Sequence, residues 1–433
     1  MRVTVIGGGL AGCEATYQIA KRGIDVILID AKPIVKSPAH KYDTLAELVC
    51  SNSLKSNDIT VASGLLKQEL RLLDSLLVRC ADSCRVPAGS ALAVQREQFS
   101  VMVTQQLENM PHVTVSHAIV KDFVPSSRDQ INIVATGPLT LDDMLPSLRQ
   151  FCGDFLHFYD AVAPIVTGES IDYNSAFSQS RYDKGDADYL NCPMNKDEFI
   201  NFWQQLTTAN TVPIKHYENN VFEGCMPIEV MASRGIDTIR YGMFKPVGLT
   251  DKRTGYRPYA VLQLRRENTQ GTLYNLVGCQ THLTFGDQKR VFSLIPALAN
   301  ADFVRYGVMH RNTYINSPTL LNQFYQSITY PNLFFAGQLT GVEGYVESIA
   351  SGLVAGINVS RLVQSKRLTE MDNCTMIGAL ARHVSTPCVS YQPMNANFGL
   401  LPPLANNVRD KKVKYSMLAD ISLARIKQYV DSM

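Results

Sequence analysis

The first thirty residues constrain the fold of this chain most, because they contain every part of a nucleotide-binding βαβ unit. The β-branched run from Arg2 to Ile6 suits a buried parallel strand. It leads directly into a turn, Gly7 to Gly12, that matches G-x-G-x-x-G. A helical stretch follows through Ala20, and a second apolar strand ends at Asp30, 18 residues after Gly12. This order predicts a dinucleotide site rather than an ordinary glycine-rich turn.

Each part of the unit has a physical role in holding a dinucleotide. Glycines permit a tight turn and a close approach of the backbone to the ligand. The N-terminus of the helix offers N–H groups to a pyrophosphate. The carboxylate at the end of the second strand can accept hydrogen bonds from a ribose. We therefore predict the first set of cofactor-binding residues as Gly7, Gly8, Gly9, Leu10, Ala11, Gly12 and Asp30.

A second glycine turn, late in the chain, points to FAD. Residues 332–338 form a strand that ends in a glycine turn, and the next helix is rich in small residues. Strand, glycine turn and small-residue helix form the usual second half of a two-part FAD site, which NAD does not require. Another strand ends in an Ala-Thr-Gly turn at residue 137. We predict the second set of cofactor-binding residues as Gly137, Gly337, Gln338, Gly344 and Tyr345, the last placed to stack on flavin, folate or base.

The glycine fingerprint occurs once, so no separate nicotinamide domain is expected and NADH or NADPH would visit the flavin transiently. The 433 residues carry a net charge of +2, which neither demands nor excludes a nucleic-acid partner. Ten cysteines without a C-x-x-C pair disfavour zinc ribbons and thioredoxin-type motifs, and we expect no metal site. With no secretion signal and no run of 18 apolar residues, we expect a cytoplasmic protein without a membrane span.

The character of the chain changes between Phe151 and Asn316, where Tyr, Asp, Pro and Asn are frequent and βαβ periodicity is lost. We therefore predict an α/β fold with a Rossmann-type, two-dinucleotide-binding-like FAD domain, made of residues 1–150 and 320–433. Residues 151–319 form an α+β insertion domain. Helices are expected at 62–82, at 96–108 and at 415–430, the last opened by a basic cluster. Cys80 and Cys84 are interpreted as packing residues of the first helix.

Several stretches of the chain are dense in reactive, basic or aromatic side chains. They are residues 180–185, 222–229 and 278–290, and residues 305–306 and 310–314 add further basic and aromatic side chains. The basic and aromatic side chains suit phosphate contact and base stacking. From these residues alone, a solvated face with ordinary ion pairs is equally compatible.

Taken together, residues 5–12, 46–54, 86–89, 223–229, 307–313 and 335–345 resemble the TrmFO family of bacterial folate- and FAD-dependent tRNA uracil-5-methyltransferases. The resemblance extends from residue 1 to about residue 400. It implies transfer of a one-carbon unit from 5,10-methylenetetrahydrofolate to carbon 5 of uridine 54 in the tRNA T-loop. It also implies reduced FAD as the electron donor, with NADH or NADPH reducing the FAD. Gly8 and Asp30 stand where the family often has Ala and Glu, and neither departure disables nucleotide binding.

The resemblance also implies roles for two cysteines. Carbon 5 of uracil is a poor nucleophile until a group adds to carbon 6, and a thiolate suits that addition. Cys225 is the implied covalent nucleophile, and Cys50 is the implied group that helps remove the proton from carbon 5. The target base must be extruded from folded RNA to reach them.

Other functions remain open at this point. Relatives with the same chemistry methylate a uridine of 23S ribosomal RNA, and no motif separates the two targets. The related wobble-uridine enzyme is longer and carries a helical tail absent here. An NAD(P)H-dependent flavin oxidoreductase acting on a small molecule would leave Cys50 and Cys225 without a role. A pure RNA-binding protein would leave the FAD site without one, and the oligomeric state is left open.

Overall fold

The computed structural model describes residues 1–37, 39–125, 127, 129–153, 156–161, 163–183, 186–212, 226–251, 253–388, 391–406 and 408–432, with backbone alone at 156–161, 310 and 311. Its strands are β1 Arg2–Ile6, β2 Val26–Asp30, β3 Ser53–Ser56, β4 Arg85–Val86, β5 Ala91–Val94, β6 Val113–His117, β7 Gln130–Val134, β8 Leu156–Ala161, β9 Ile165–Thr167, β10 Phe177–Ser178, β11 Tyr189–Met194, β12 Ala260–Arg266, β13 Leu273–Leu276, β14 Phe303–Arg305, β15 Met309–Tyr314 and β16 Leu333–Phe335. Its α-helices are α1 Leu10–Ala20, α2 Ala62–Leu72, α3 Leu76–Ser83, α4 Arg96–Glu108, α5 Leu145–Cys152, α6 Lys196–Thr207, α7 Ile228–Ser233, α8 Ile236–Tyr241, α9 Phe285–Phe292, α10 Ser317–Leu320, α11 Tyr345–Val363, α12 Met376–Ser385 and α13 Lys411–Asp431.

A five-stranded parallel sheet, in the order β16-β7-β1-β2-β6, contains the predicted βαβ unit. β1 lies at its centre, where Ile6 pairs with Ile29 of β2 and with Val134 of β7. All five strands therefore run in one direction, and their carboxyl ends meet at one edge of the sheet. In such sheets ligands bind at that edge.

Helices α1 and α11 pack against each other unusually closely. A Cβ atom at Gly352 would overlap the carbonyl oxygen of Ala11, and one at Gly356 would come within 2.7 Å of the carbonyl oxygen of Ala15. The small residues in the second half of the FAD motif therefore allow two buried helices to touch through their backbones. By length and composition α11 could cross a bilayer, but 83% of its apolar window is buried in the protein. It is a core helix.

A six-stranded sheet, in the order β10-β11-β12-β13-β9-β14, lies between residues 165 and 305. Every pairing in it is antiparallel, which agrees with the loss of βαβ periodicity in this segment. Its core includes the fully buried rings of Phe199, Phe202, Phe244 and Phe292. The remaining strands form a three-stranded sheet, β3-β5-β4, and a two-stranded sheet, β15-β8.

Two of the predicted helices differ from the observed ones, whereas the helix expected at 96–108 is confirmed as α4. The single helix expected at 62–82 is wrong, because Asp74 adopts a left-handed conformation with φ of 55° and ends α2. Ser75 then caps α3 by accepting a hydrogen bond from the N–H of Val78. The C-terminal helix begins earlier than expected, at Lys411, because Asp410 caps it and offsets the basic first turn.

Candidate active site

A large cavity lies at the carboxyl edge of the parallel sheet. It encloses about 1180 Å³ of space free of protein atoms, part of it open to solvent. Its lining extends from the first glycine turn at Gly7 to the second at Gly337, so the cavity joins the two predicted halves of the cofactor site. Ten of the predicted cofactor-binding residues line it: Gly7, Gly8, Gly9, Leu10, Ala11, Asp30, Gly137, Gly337, Gln338 and Tyr345. Gly12 and Gly344 do not.

The glycines of the first turn act in different ways. Gly7 has a φ of +108°, and a Cβ there would lie 2.5 Å from the carbonyl oxygen of Ala135. A Cβ at Gly12 would overlap the carbonyl oxygen of Gly7, so Gly12 allows the helix to pack on the turn. A Cβ at Gly9, by contrast, would meet no atom within 4 Å. Gly9 caps α1 and leaves space where the helix N-terminus can bind an anion.

Asp30 lies on the far side of the same turn and is only 8% exposed. Its carboxylate accepts hydrogen bonds from the backbone N–H of Gly8 at 2.6 Å and of Lys32 at 2.8 Å. These bonds orient the carboxylate, and each oxygen keeps acceptor capacity for a ligand hydroxyl. The turn, the helix N-terminus and this carboxylate together fit a nucleotide.

The second glycine turn supports the opposite end of the cavity. Gly337 has a φ of +78°, and its N–H donates to the hydroxyl of Ser351 at 2.7 Å. Gly344 has a φ of +118° and is the N-cap of α11, where a Cβ would overlap the carboxylate of Glu347. Gly344 therefore shapes the start of the helix that carries Tyr345 rather than lining the cavity.

Tyr345 joins the cavity to the segment that contains Cys50. Its hydroxyl oxygen accepts hydrogen bonds from the backbone N–H of Cys50 at 2.7 Å and of Ser51 at 3.0 Å. Burial raises the pKa of this phenol well above its usual value, so the side chain is neutral. We call residues 47–52 the Cys50 loop. Cys50 itself is half-buried.

Two arginines bind carbonyl oxygens of the Cys50 loop. Arg96 on α4 donates to the carbonyl oxygens of Leu48 at 3.0 Å and of Cys50 at 3.2 Å. Its guanidinium also forms a buried ion pair with Glu267, with an Nε–Oε2 distance of 2.7 Å. Arg305 on β14 donates to the carbonyl oxygen of Val49 at 2.6 Å. In this structure Arg305 therefore contacts the loop, although the sequence suggested a phosphate contact.

A third arginine, Arg265 on β12, binds side chains of the same loop. It donates to the amide oxygen of Asn52 at 2.8 Å and to the hydroxyl of Ser51 at 2.9 Å. Sequence analysis did not single out Arg96 or Arg265, and it offered Arg305 as a phosphate contact rather than as a partner of the Cys50 loop. The one available signal was the charged sequence Arg265-Arg266-Glu267 at the end of an otherwise apolar strand.

The nucleophile implied by the family resemblance, Cys225, lies outside the residues that the structure describes. So do Lys184 and Gly185 of the stretch 180–185. Just after Cys225, the N–H of Ile228 donates to the carbonyl oxygen of Gln280 at 2.7 Å. The carboxylate of Glu229 accepts from the hydroxyl of Thr281 at 2.8 Å and pairs with His282. The described parts of two reactive stretches, 226–229 and 279–283, are thus in contact.

Neither Cys80 and Cys84 nor the described metal-binding side chains form a second reactive centre. Cys80 and Cys84 are 3% and 2% exposed, which confirms them as packing residues. Burial raises the pKa of the Cys80 thiol to about 11 and that of Cys84 above its usual value. Among the residues that the structure describes, no group of three or more His, Cys, Asp or Glu side chains is arranged to hold a metal ion.

Comparisons with known proteins identify the family of this chain. The family model described as "Glucose inhibited division protein A" matches residues 2–367. A methylenetetrahydrofolate--tRNA-(uracil-5-)-methyltransferase TrmFO from Halalkalibacterium halodurans is 54% identical over 100% of this chain and 99% of its own length. A protein of the same name from Bacillus cereus is 53% identical over 99% of both chains.

A solved structure confirms the predicted fold class. GidA from Aquifex aeolicus superposes with a TM-score of 0.73 at 15% identity, covering 100% of this chain and 73% of that one. At this identity the likeness concerns the fold alone, and the fold is the expected Rossmann-type α/β architecture. The full-length relatives decide the narrower question of family. The chain belongs to the TrmFO family.

Proposed function

We propose that this chain transfers a one-carbon unit from 5,10-methylenetetrahydrofolate to carbon 5 of a tRNA uracil, at uridine 54 of the T-loop. One observation carries the proposal: Tyr345 lines the dinucleotide cavity and binds the backbone of Cys50. A ring bound at this end of the cavity and a base beside Cys50 would therefore be neighbours. The names of the full-length relatives support the folate donor, the tRNA acceptor and the reaction.

FAD fits the cavity in two halves. Gly7, Gly8, Gly9, Leu10, Ala11, Gly12 and Asp30 would hold the adenosine and pyrophosphate, and Gly137, Gly337, Gln338, Gly344 and Tyr345 the flavin end. Gly12 and Gly344 contribute through backbone geometry rather than contact. When bound, FAD supplies the two electrons that take the transferred carbon from the methylene to the methyl level. NADH or NADPH is the proposed source of those electrons.

The two cysteines divide the chemistry on the uracil ring. The thiolate of Cys225 bonds to carbon 6, and the electron pair of the C5=C6 bond moves towards the oxygen on carbon 4. Carbon 5 can then bond to the methylene carbon of the folate as one of the two bonds from this carbon to folate nitrogens breaks. Cys50 accepts the proton that carbon 5 loses, and the electron pair of that C–H bond expels tetrahydrofolate by breaking the remaining C–N bond. The two-electron reduction of the resulting methylene group completes the methyl group, and breaking of the S–C6 bond restores the C5=C6 bond and returns Cys225 as a thiolate.

We further propose that residues 1–150 and 320–433 form the FAD-binding domain and 151–319 an insertion domain. The arrangement of the two large sheets supports this division, because the parallel sheet uses residues 2–134 and 333–335 and the antiparallel sheet residues 165–305. The cytoplasm is the proposed location, since the chemistry needs reduced thiols and newly transcribed tRNA.

The test is a methyl-transfer assay with purified holoenzyme, methylene-labelled methylenetetrahydrofolate and NADPH. Unmodified tRNA, the same tRNA with cytidine at position 54, and 23S ribosomal RNA are offered in parallel. We expect label only in the tRNA that carries uridine 54. Label confined to ribosomal RNA would keep the chemistry and change the target. NADPH consumption without label in any RNA would indicate a flavin oxidoreductase acting on a small molecule.

The matched variants are Cys225→Ala, Cys50→Ala and Cys388→Ala. Cys388 is exposed and distant in sequence from both motifs, so its substitution should leave methylation unchanged. We expect the other two variants to lose at least about 100-fold in rate, as is usual when a nucleophile or a general base is removed. Unchanged methylation in Cys225→Ala would refute its assignment as the nucleophile.

A further inference from the structure

The surroundings of the Cys50 loop carry more positive than negative charge. Four cationic groups interact electrostatically in this region: Lys41 and Arg96, Arg265 and Arg305. They come from the loop before residue 47, from α4, from β12 and from β14. The described acidic groups facing them are Glu47 and Glu267, and Tyr345 is neutral.

Of these cationic groups, Arg96 pairs with a carboxylate of the described residues, whereas Arg265 and Arg305 do not. Glu267 pairs with Arg96, and Glu47 accepts the backbone N–H groups of Lys41 at 2.8 Å and Tyr42 at 3.1 Å. Arg265 is only 7% exposed and Arg305 is half-buried. Within the part of the chain that the structure describes, neither has a carboxylate oxygen within 4.0 Å.

A buried cation without a counter-charge costs several kcal/mol. Burial accordingly lowers the pKa of both Arg265 and Arg305. Both side chains nevertheless bind residues adjacent to Cys50, Ser51 in one case and Val49 in the other. Glu267, which already pairs with Arg96, opposes this effect of burial most strongly for Arg265, and a thiolate at Cys50 would attract both guanidinium groups as well. An anion at Cys50 would therefore offset the cost of burying these two charges.

We propose that Arg265 and Arg305 are positioning residues that hold Cys50 as a thiolate. A thiolate at this position can accept the carbon-5 proton directly and becomes a thiol, which releases that proton to solvent before the next turnover. This use of the thiolate rests on the proposed function, whereas the charge state of Cys50 does not. Both arginines lie in the 151–319 segment, so Cys50 acquires its charge only when that segment is docked against α4 and the Cys50 loop.

The experiment is peptide-resolved alkylation of the FAD-loaded protein with iodoacetamide between pH 5 and pH 10. Trypsin releases Cys50 alone among the cysteines in the peptide from Tyr42 to Lys55. Cys388 is likewise the one cysteine between His383 and Arg409, and as an exposed thiol it is the internal reference. Each thiol is described by the pH at which its alkylation rate is half-maximal, since only the thiolate reacts.

We expect the half-maximal pH of Cys50 to lie at least about one unit below that of Cys388, because neighbouring guanidinium groups favour the thiolate. Arg265→Gln and Arg305→Gln should each raise it by about one unit, equivalent to a roughly tenfold slower alkylation near neutral pH. Arg265→Lys and Arg305→Lys keep the charge and should recover most of the shift. Arg425→Gln, on the exposed side of α13, is the matched control and should change nothing.

Equal half-maximal pH values for Cys50 and Cys388 in the unmodified protein would overturn the proposal, whether or not any variant folds. An unshifted profile in both glutamine variants, with FAD still bound, would overturn it as well. Absence of methylation alongside the expected alkylation profiles would reject the proposed function and leave the thiolate assignment standing.

Discussion

The hydroxyl oxygen of Tyr345 accepts a hydrogen bond from the backbone N–H of Cys50 at 2.7 Å, although the two residues are 295 positions apart in the chain. Tyr345 begins the helix at the proposed flavin end of the cavity, and Cys50 lies in the loop that three arginines bind. One phenol therefore connects the proposed redox site to the proposed proton acceptor. Removal of its hydroxyl group should therefore impair methyl transfer without releasing FAD.

Tyr345→Phe keeps the ring and removes the oxygen that accepts from Cys50 and Ser51. Leaving these half-buried N–H groups without their acceptor costs up to about 1–3 kcal/mol, so we expect the loop to move and kcat for methyl transfer to fall about tenfold or more. FAD content, measured by absorbance, should remain close to normal. Tyr415→Phe, in a ring stacked on Phe398, is the control. Loss of FAD with normal kcat per bound flavin would contradict this prediction.

Gly12→Ala and Gly9→Ala should separate protein packing from ligand binding. A Cβ at Gly12 overlaps Gly7, and such overpacking typically costs about 1–3 kcal/mol, so the melting temperature of the FAD-free protein should fall. A Cβ at Gly9 meets no protein atom and should leave that melting temperature unchanged. It would instead intrude on the anion at the helix N-terminus and weaken FAD retention. Normal flavin content in Gly9→Ala would show that the pyrophosphate lies elsewhere.

Breaking the buried ion pair of Arg96 and Glu267 should reduce the stability of the fold far more than breaking an exposed ion pair. Arg96→Met leaves Glu267 charged and without its partner, which typically costs about 3–5 kcal/mol in the free energy of unfolding measured in urea. The double variant Arg96→Met with Glu267→Met should recover much of that loss. Asp43→Asn breaks the exposed Lys36–Asp43 pair and should cost no more than about 1 kcal/mol. Similar losses in the free energy of unfolding for Arg96→Met and Asp43→Asn would refute this prediction.

Glu69 should make the stability of the fold depend on pH. Its fully buried carboxyl accepts from the N–H of Met376 at 2.7 Å and of Ile377 at 2.8 Å, and it also accepts a hydrogen bond from the hydroxyl of Ser422. Burial raises its pKa from 4.5 to about 7. Between these values the native state holds a proton that the unfolded chain has lost, so the free energy of unfolding falls as pH rises.

We therefore expect the unmodified protein to lose stability relative to Glu69→Gln as pH rises from 4.5 to about 7, by up to about 3 kcal/mol, with no further divergence above it. Urea denaturation of both proteins across this range measures the difference. Glu108→Gln, in an exposed side chain at the end of α4, should follow the unmodified protein at every pH. Parallel stability curves for the unmodified protein and Glu69→Gln would disprove the prediction.

The local sequence pattern was sufficient to predict the elements that are stabilised by residues close together in the chain. The turn from Gly7 to Gly12, the strand ending at Asp30 and the helix Arg96–Glu108 all depend on neighbouring residues and on apolar periodicity. The break at Asp74 was missed because a left-handed residue inside an apolar helical pattern leaves the periodicity on either side intact. The motifs of the family also indicated Cys50 before any geometry was known.

The sequence by itself determined the dinucleotide fold, because glycines and β-branched runs restrict the backbone wherever they occur. The surroundings of Cys50 were decided by tertiary structure alone. Arg96, Arg265 and Arg305 lie on three different elements, and nothing in its own segment relates any of them to Cys50. They become a cluster only because β12, Glu267 and β14 pack against α4 and the Cys50 loop, which buries Arg96 and Arg265 and half-buries Arg305. Hydrogen bonding and desolvation at such a junction depend on distances between segments, which no local pattern encodes.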